Sequence, residues 1–342
     1  MIKFIFKFLI ILFLLTVIIL GVGGYLVYKN LNSPLEVNGH RQLIDVPNGS
    51  NLTQVGELID KATNSDASSV IIRIYAKYKE LQNAPIKVHP GAYELNDGQT
   101  LIQILEKMDK GDRYYSSLVL IEGWSLKQIK QAFASKDDLK QSISNLTDEE
   151  ILKNFGAPSE IKSLEGLIHP NTYKYTPGNL DIDILRVAYK KGNEIMDKEW
   201  ANRAPDLPLK SPYEALILAS IIEKETGQKS DRSKIAGVFI NRLNHNMLLQ
   251  TDPTVIYGMG DKYQGIIRKI DLMTDTPWNT YIRKGLPPTP IASPGLESIR
   301  AALHPERHDY LYFVSKGDGT SAFAKTLSEH NANVNKYILK KN

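Results

Sequence analysis

From Phe8 to Tyr28 the chain carries no charged side chain and consists mostly of Leu, Ile, Val and Phe. About 21 such residues, wound into a helix, reach across the hydrocarbon core of a bilayer. In lipid every backbone N–H and C=O must be bonded within the segment, so this stretch can only be a helix there. Lys3 and Lys7 precede it and Lys29 follows. The basic leader favours an inside N-terminus, with the remaining chain outside. The run exceeds the usual apolar part of a secretory signal peptide, and no small-residue cleavage site follows it. It is therefore read as an uncleaved transmembrane signal anchor over 8–28, after a cytoplasmic stretch 1–7. The expectation is a single-pass membrane protein with a large extracytoplasmic part.

The length of 342 residues allows two or three domains beyond that anchor. A formal net charge of +4 is small for such a chain, and no basic-aromatic patch accompanies it, so no nucleic-acid partner is expected. The absence of cysteine excludes disulfides and thiolate metal sites. No second His stands at ligand spacing from His169, so no metal is assigned. There is no phosphate loop, nucleotide fingerprint or Ser-His-Asp order, and no cofactor is implied.

After a polar linker, 29–40, the stretch 41–116 reads as a small β/α module. Leu43 to Val46 is a short strand, and Asn51 caps a helix bearing Val55, Leu58 and Ile59. A second helix over Ser69 to Leu81 turns Ile71, Ile72, Ile74 and Tyr75 inward. Ile86 to His89 alternates as a strand does, Pro90-Gly91 turns, and Thr100 to Met108 is amphipathic. No ionisable constellation lies here. The remainder, 117–342, is a mixed domain. Ser117 to Ile121 is a strand, Lys136 to Gly156 a solvated helical insertion, and Asp181 to Trp200 a long helix. Ser230 caps Lys234 to Asn244, while Leu248 to Ile256 is extended. Thr280 to Gly295 is a proline-rich rigid loop. The expected fold class is α+β.

The chemistry concentrates around Ser211 to Gly260. Ser211 as N-cap, Pro212 at the first position and Glu214 in a capping box start a helix. Its run Ala215 to Ile222 is apolar nearly all round, as in a buried helix. Glu223, Lys224 and Glu225 follow, with Gly227 as stop. A carboxyl there meets the negative end of the helix dipole and partial burial, and both raise its pKa. A carboxyl kept protonated near neutral pH suits a general acid. Glu223 and Glu225 point about 200° apart, so at most one enters a cleft. Glu225 continues the face of Ile221 and Ile222 and is favoured. Gln250, Thr251 and Asp252 offer amide, hydroxyl and carboxylate groups fit for sugar hydroxyls and N-acetyl amides. Tyr257 adds a ring and a hydroxyl, and Asn241 can reach the same cleft. A turn in which Asp252 bonds its own backbone accounts equally well for part of that loop. Glu165 to Tyr173 mixes carboxylate, His and aromatic groups around Gly and Pro, which suits a cleft wall.

The strings EKETG, VFINRL, LQTDPTVIYGMG, GLPPTPIASPG and YLYFV resemble the YceG-like family of endolytic murein transglycosylases, over about residues 41 to 340. The resemblance implies a LysM-like module over 41–116 and a catalytic domain over 117–342. It places the catalytic acid/base on Glu225, the second acid of the EKE motif, with Gln250, Thr251, Asp252, Tyr257, Asn241 and Glu165 as substrate-binding candidates. The implied reaction is lytic cleavage of the β-1,4 bond between N-acetylmuramic acid and N-acetylglucosamine, leaving 1,6-anhydro ends on nascent peptidoglycan strands. Implied partners are glycan strands, the membrane through the anchor, and peptidoglycan synthases. His169 stands where the family commonly has an aromatic and Asn171 where it has Asp, which leaves Glu165 as the better supporting acid. The competing readings are a hydrolytic muramidase, in which Glu165 or Asp252 activates water, and a membrane-anchored glycan-binding scaffold without catalysis.

Overall fold

A computed structural model describes residues 2–339. The chain separates into two compact units, with the sequence boundary between Ser116 and Ser117. It mixes helices with short strands, so α+β holds as the class.

In the first unit, α1 runs Ile2–Asn32. Its stretch from Phe4 to Asn32 is long and apolar enough to cross a membrane, and none of its most apolar window is covered by protein. The helix starts before and ends after the apolar run, since the flanking Lys residues are good helix formers and the few Asn at its end cost only tenths of a kcal/mol each. Only its last turns join a core: Leu31 is buried, and Val27 packs partly against the same cluster. Next come β1 (Arg41–Val46), α2 (Leu52–Ala62), α3 (Ser68–Leu81), β2 (Gly91–Asn96) and α4 (Leu101–Lys110). The two strands pair antiparallel, Arg41 opposite Asn96 and Val46 opposite Gly91. Asn51 with Gln54, and Thr100 with Gln103, form capping boxes at the starts of α2 and α4. Val55, Ile59, Ile72, Leu95, Ile104 and Met108 lie at the centre of the core.

Two expectations fail in this unit. Residues 86–89 are irregular, and the second strand begins at Gly91 instead of turning there. Ile71 and Ile72 do face inward, but Ile74 is 48% exposed. On a helix it lies about 60° from Ile71 and 160° from Ile72, beyond the buried arc.

The second unit contains β3 (Ser116–Val119), α5 (Leu126–Ala134), α6 (Asp148–Phe155), β4 (Thr172–Tyr175), α7 (Asp181–Ala201), α8 (Pro212–Glu225), α9 (Lys229–Asn244), α10 (Asp252–Met259), α11 (Lys269–Met273), α12 (Leu296–Leu303), β5 (Tyr312–Ser315), β6 (Ser321–Ala324) and α13 (Leu327–Val334). Strand β3 pairs with β4, and β5 with β6. Helix α8 is the axis of the unit. Every residue from Ala215 to Ile222 is buried, and α7, α9, α10 and α12 all pack on it. Ser220, the only hydroxyl in that run, donates to the Ile217 carbonyl and accepts the Ile291 N–H, which ties the proline-rich loop to the helix.

The boundaries of these helices correct several expectations. Ser211 accepts the Glu214 N–H, but the Glu214 carboxylate takes the Lys210 N–H, so the capping box is half formed. Helix α8 stops at Glu225, with Thr226 already extended, two residues before Gly227. Helix α9 begins at Lys229, five residues before the expected Lys234, so Ser230 lies inside its first turn and does not cap it. The expected insertion over 136–156 is helical only at a short 3-10 turn, Ile143–Asn145, and in α6. The largest difference is at 252–259. Its β-branched residues read as extended, yet it is a helix, started by Thr251 as N-cap and by Pro253 in the first turn, where a missing N–H costs nothing.

Candidate active site

Helix α8 delivers two carboxylates at its C-terminal end, and they meet different surroundings. Glu223 forms a buried ion pair with Arg232 of α9 at 3.4 Å and accepts the Gly295 N–H at 3.0 Å. Its charge is matched, and it fastens the end of the proline-rich loop. Glu225 forms no ion pair among the described residues. The residue keeps some surface in water, but protein crowds the carboxyl, which accepts a hydrogen bond from Thr251 Oγ1. Burial pushes its pKa up to about 7, against the Thr251 bond, which favours the ionised form, and with help from the nearby Asp252 charge. The C-terminal carbonyls of α8 act in the same direction.

The partner loop is held rigidly. Arg242 of α9 is buried and donates to the Leu248 and Leu249 carbonyls and to Gln250 Oε1. Gln250 takes a positive φ of 51°, which turns the chain sharply ahead of Thr251. The backbone N–H groups of Gln250 and Thr251 bond to the carbonyl and the hydroxyl of Thr280. Thr254, fully buried, donates its hydroxyl to the Thr251 carbonyl. Asn279, beside Thr280, is buried too and donates to the Thr274 carbonyl at 2.7 Å, which fixes the segment that carries Thr280. The Thr251 hydroxyl is thus aimed at Glu225 by backbone bonds on both sides. Asp252 is exposed and accepts the Tyr281 hydroxyl.

At the other end of α10, Tyr257 donates to Glu165 Oε2 at 3.1 Å. The ring meets Trp278 edge-on at 5.3 Å, and Trp278 Nε1 donates to Thr289 of the proline-rich loop. Glu165 is 3% exposed, and both of its oxygens accept the Leu126 N–H at the start of α5. Burial pushes its pKa up to about 7 as well, opposed by those bonds. Burial also raises the Tyr257 phenol, so it stays a neutral donor. The next residue, Gly166, has φ +77°, and a Cβ there would sit 2.4 Å from Pro290 Cβ. Only glycine lets the proline-rich loop pass that close.

Of the residues singled out in the sequence, Glu225, Thr251 and Asp252 come together. Gln250 borders them, and Tyr257 and Glu165 form a linked pair along α10. Asn241 does not join them. Its amide nitrogen donates to the carbonyls of His308 and Tyr310, so it braces the chain before β5 instead of reaching the cleft. His169 lies half-buried beside α7, its N–H bonded to the Ala188 carbonyl, and Asn171 accepts the Thr172 N–H. Arg242, Thr280, Tyr281 and the Glu223–Arg232 pair escaped notice. Arg242, four residues after Val238 and seven after Ile235 and so on the apolar face of α9, was the available signal, because a buried guanidinium must find acceptors. The described residues contain no cluster fit to hold a metal ion.

These features describe a protein with one crowded, protonatable carboxyl at the end of a buried helix, faced by a rigid polar loop, and a second, Glu165, held beside Tyr257. The chain belongs to the YceG-like family, whose profile matches residues 44–336. It is 36% identical over 339 residues to the endolytic murein transglycosylase of Bacillus subtilis (strain 168), a match that takes in 94% of this chain and 91% of that one. It is 29% identical over 366 residues to the endolytic murein transglycosylase of Streptococcus pneumoniae serotype 2, covering 95% of this chain and 64% of the longer relative. Among solved structures, a yceG-like protein from Listeria monocytogenes superposes with a TM-score of 0.55 at 31% identity, over 85% of this chain and 98% of that one.

Proposed function

We propose that the protein is a lytic transglycosylase that cuts peptidoglycan glycan strands internally, with Glu225 as its acid and base. The reading is carried by one observation: in a family whose relatives bear the name endolytic murein transglycosylase, the carboxyl ending α8 is unpaired, buried enough to titrate at about 7, and addressed by Thr251. Protonated Glu225 gives its proton to the oxygen bridging N-acetylmuramic acid and N-acetylglucosamine as the C1–O bond breaks. The resulting carboxylate then takes the proton of the muramoyl C6 hydroxyl, whose oxygen closes on C1. One proton leaves the carboxyl and one returns, no water is consumed, and the product ends in a 1,6-anhydro ring.

A single carboxyl is enough for that sequence, whereas ordinary glycosidases need two facing ones. The surroundings of the other acids favour the lytic route. Both oxygens of Glu165 are occupied, Asp252 is engaged by Tyr281, and Glu223 is neutralised by Arg232. In this reading Gln250 and Asp252 contact sugar hydroxyls and amides. The unit 41–116 serves as a LysM-like module, and α1 anchors the protein in the cytoplasmic membrane with the catalytic unit outside, near peptidoglycan synthases. The test is digestion of purified glycan strands by the full chain in detergent, with products weighed by mass spectrometry. Products lighter by one water than those of hydrolysis, absent with Glu225→Gln, are expected. Hydrated products would establish a muramidase, and binding without cleavage a scaffold.

A further inference from the structure

Helix α3 has two apolar faces, and only one is used. Ile71 and Ile72 enter the core of the first unit. Val70, Ile74, Tyr78 and Leu81 recur at three- and four-residue spacing, form a second stripe, and are 54%, 48%, 55% and 77% exposed. Leu52, Pro85 and Ile86 extend the stripe into a groove bordered by Arg73 and Lys77. The helix carries Arg73, Lys77 and Lys79 against the single acid Glu80. Such a stripe leaves apolar surface in water at about 25 cal/mol per Å², a cost that lasts unless something covers it.

Helix α1 indicates what covers it. Val27, inside the apolar run, and Leu31, one turn on, pack against the core cluster that holds Ile71 and Ile72. Helix α1 contacts both α3 and α4. The unit therefore begins where the apolar run ends, with no spacer between them. If α1 crosses a bilayer, the unit is pressed against the lipid headgroups. There an apolar stripe that includes Tyr78 and is edged by Arg73 and Lys77 has the composition of an interfacial helix. We infer that α3 lies on the membrane surface through Val70, Ile74, Tyr78 and Leu81, with Arg73 and Lys77 against anionic lipid headgroups. The inference rests on the reading of α1 as a membrane anchor and is independent of the proposed catalysis.

The chain contains no cysteine, so single introduced cysteines report one position each. Full-length protein with Leu81→Cys, Ile74→Cys, Leu20→Cys or Asn48→Cys is labelled with an environment-sensitive fluorophore. Each is reconstituted in phosphatidylcholine vesicles with or without phosphatidylglycerol, and quenched with nitroxide-labelled lipid. Labels at positions 20, 74 and 81 should be quenched, and the label in the Pro47–Ser50 turn should not. Replacing Arg73 and Lys77 by Gln should lower the docked-to-free ratio at position 81 about fivefold per charge in the anionic vesicles only. Quenching at 20 without quenching at 74 and 81 overturns the docking while leaving the anchor intact. No quenching at 20 removes the anchor and the docking together.

Discussion

Glu223 and Glu225 are two residues apart in sequence and opposite in electrostatic fate. A guanidinium stands beside the first, while the second has only a hydroxyl, a helix C-terminus and a neighbouring carboxylate. Because the folded pKa of Glu225 is raised to about 7, the sign of its effect on stability is set. Below the unfolded value near 4.5 the group costs nothing. As pH rises through about 7 the folded state must hold a disfavoured charge, a loss on the order of 3 kcal/mol. Glu225→Gln is therefore expected to raise the melting temperature at pH 8 and to change it little at pH 4.5, read by thermal unfolding at both pH values. The same carboxyl should place an alkaline limb near pH 7 on kcat/KM for glycan cleavage. Thr251→Val removes the bond that favours the ionised form, so that limb should move upward. A downward move in the pH–rate profile would contradict the assigned hydrogen bond.

Among the elements, α8 and α10 have unequal standing in the sequence. Helix α8 announces itself by Ser-Pro and an apolar octet, and its burial follows because no face of it could meet water. Leu218→Ala at its centre should cost about 2–5 kcal/mol in denaturant unfolding, the range for a buried leucine whose cavity cannot collapse. Helix α10 has only eight residues, two of them buried, and its β-branched side chains match a strand equally well. Its conformation is imposed from outside, by Thr280 on the backbone of Gln250 and Thr251 and by Arg242 on the carbonyls before them. Asn241 was misplaced for a related reason. Helical spacing locates a residue on a face, but the carbonyls of His308 and Tyr310 that claim it are more than sixty residues away. The loop beside Glu165 depends on Gly166 in the same way. Gly166→Ala should destabilise the second unit by about 2 kcal/mol or more, through the positive φ and the contact with Pro290, neither of which a flexible side chain can relieve.

On the scale of the whole molecule, the end of α1 and the rest of the first unit share a core. A truncation removing residues 2–25 should leave that unit intact. Cutting back through Leu31, which is 4% exposed, should weaken it by about 2–4 kcal/mol, detectable as a lower-melting transition. The apolar run and the buried helix were legible from the chain alone, since each follows from local periodicity, and the same periodicity only inclined the choice of acid toward Glu225. Which acid is neutralised, which hydroxyl reaches the free one, and which face of α3 is left bare depend on side chains brought together from distant stretches. Periodicity carries no record of such partners. They exist only once the backbone has closed around α8 and α1, and that is the part of this protein decided by its tertiary structure.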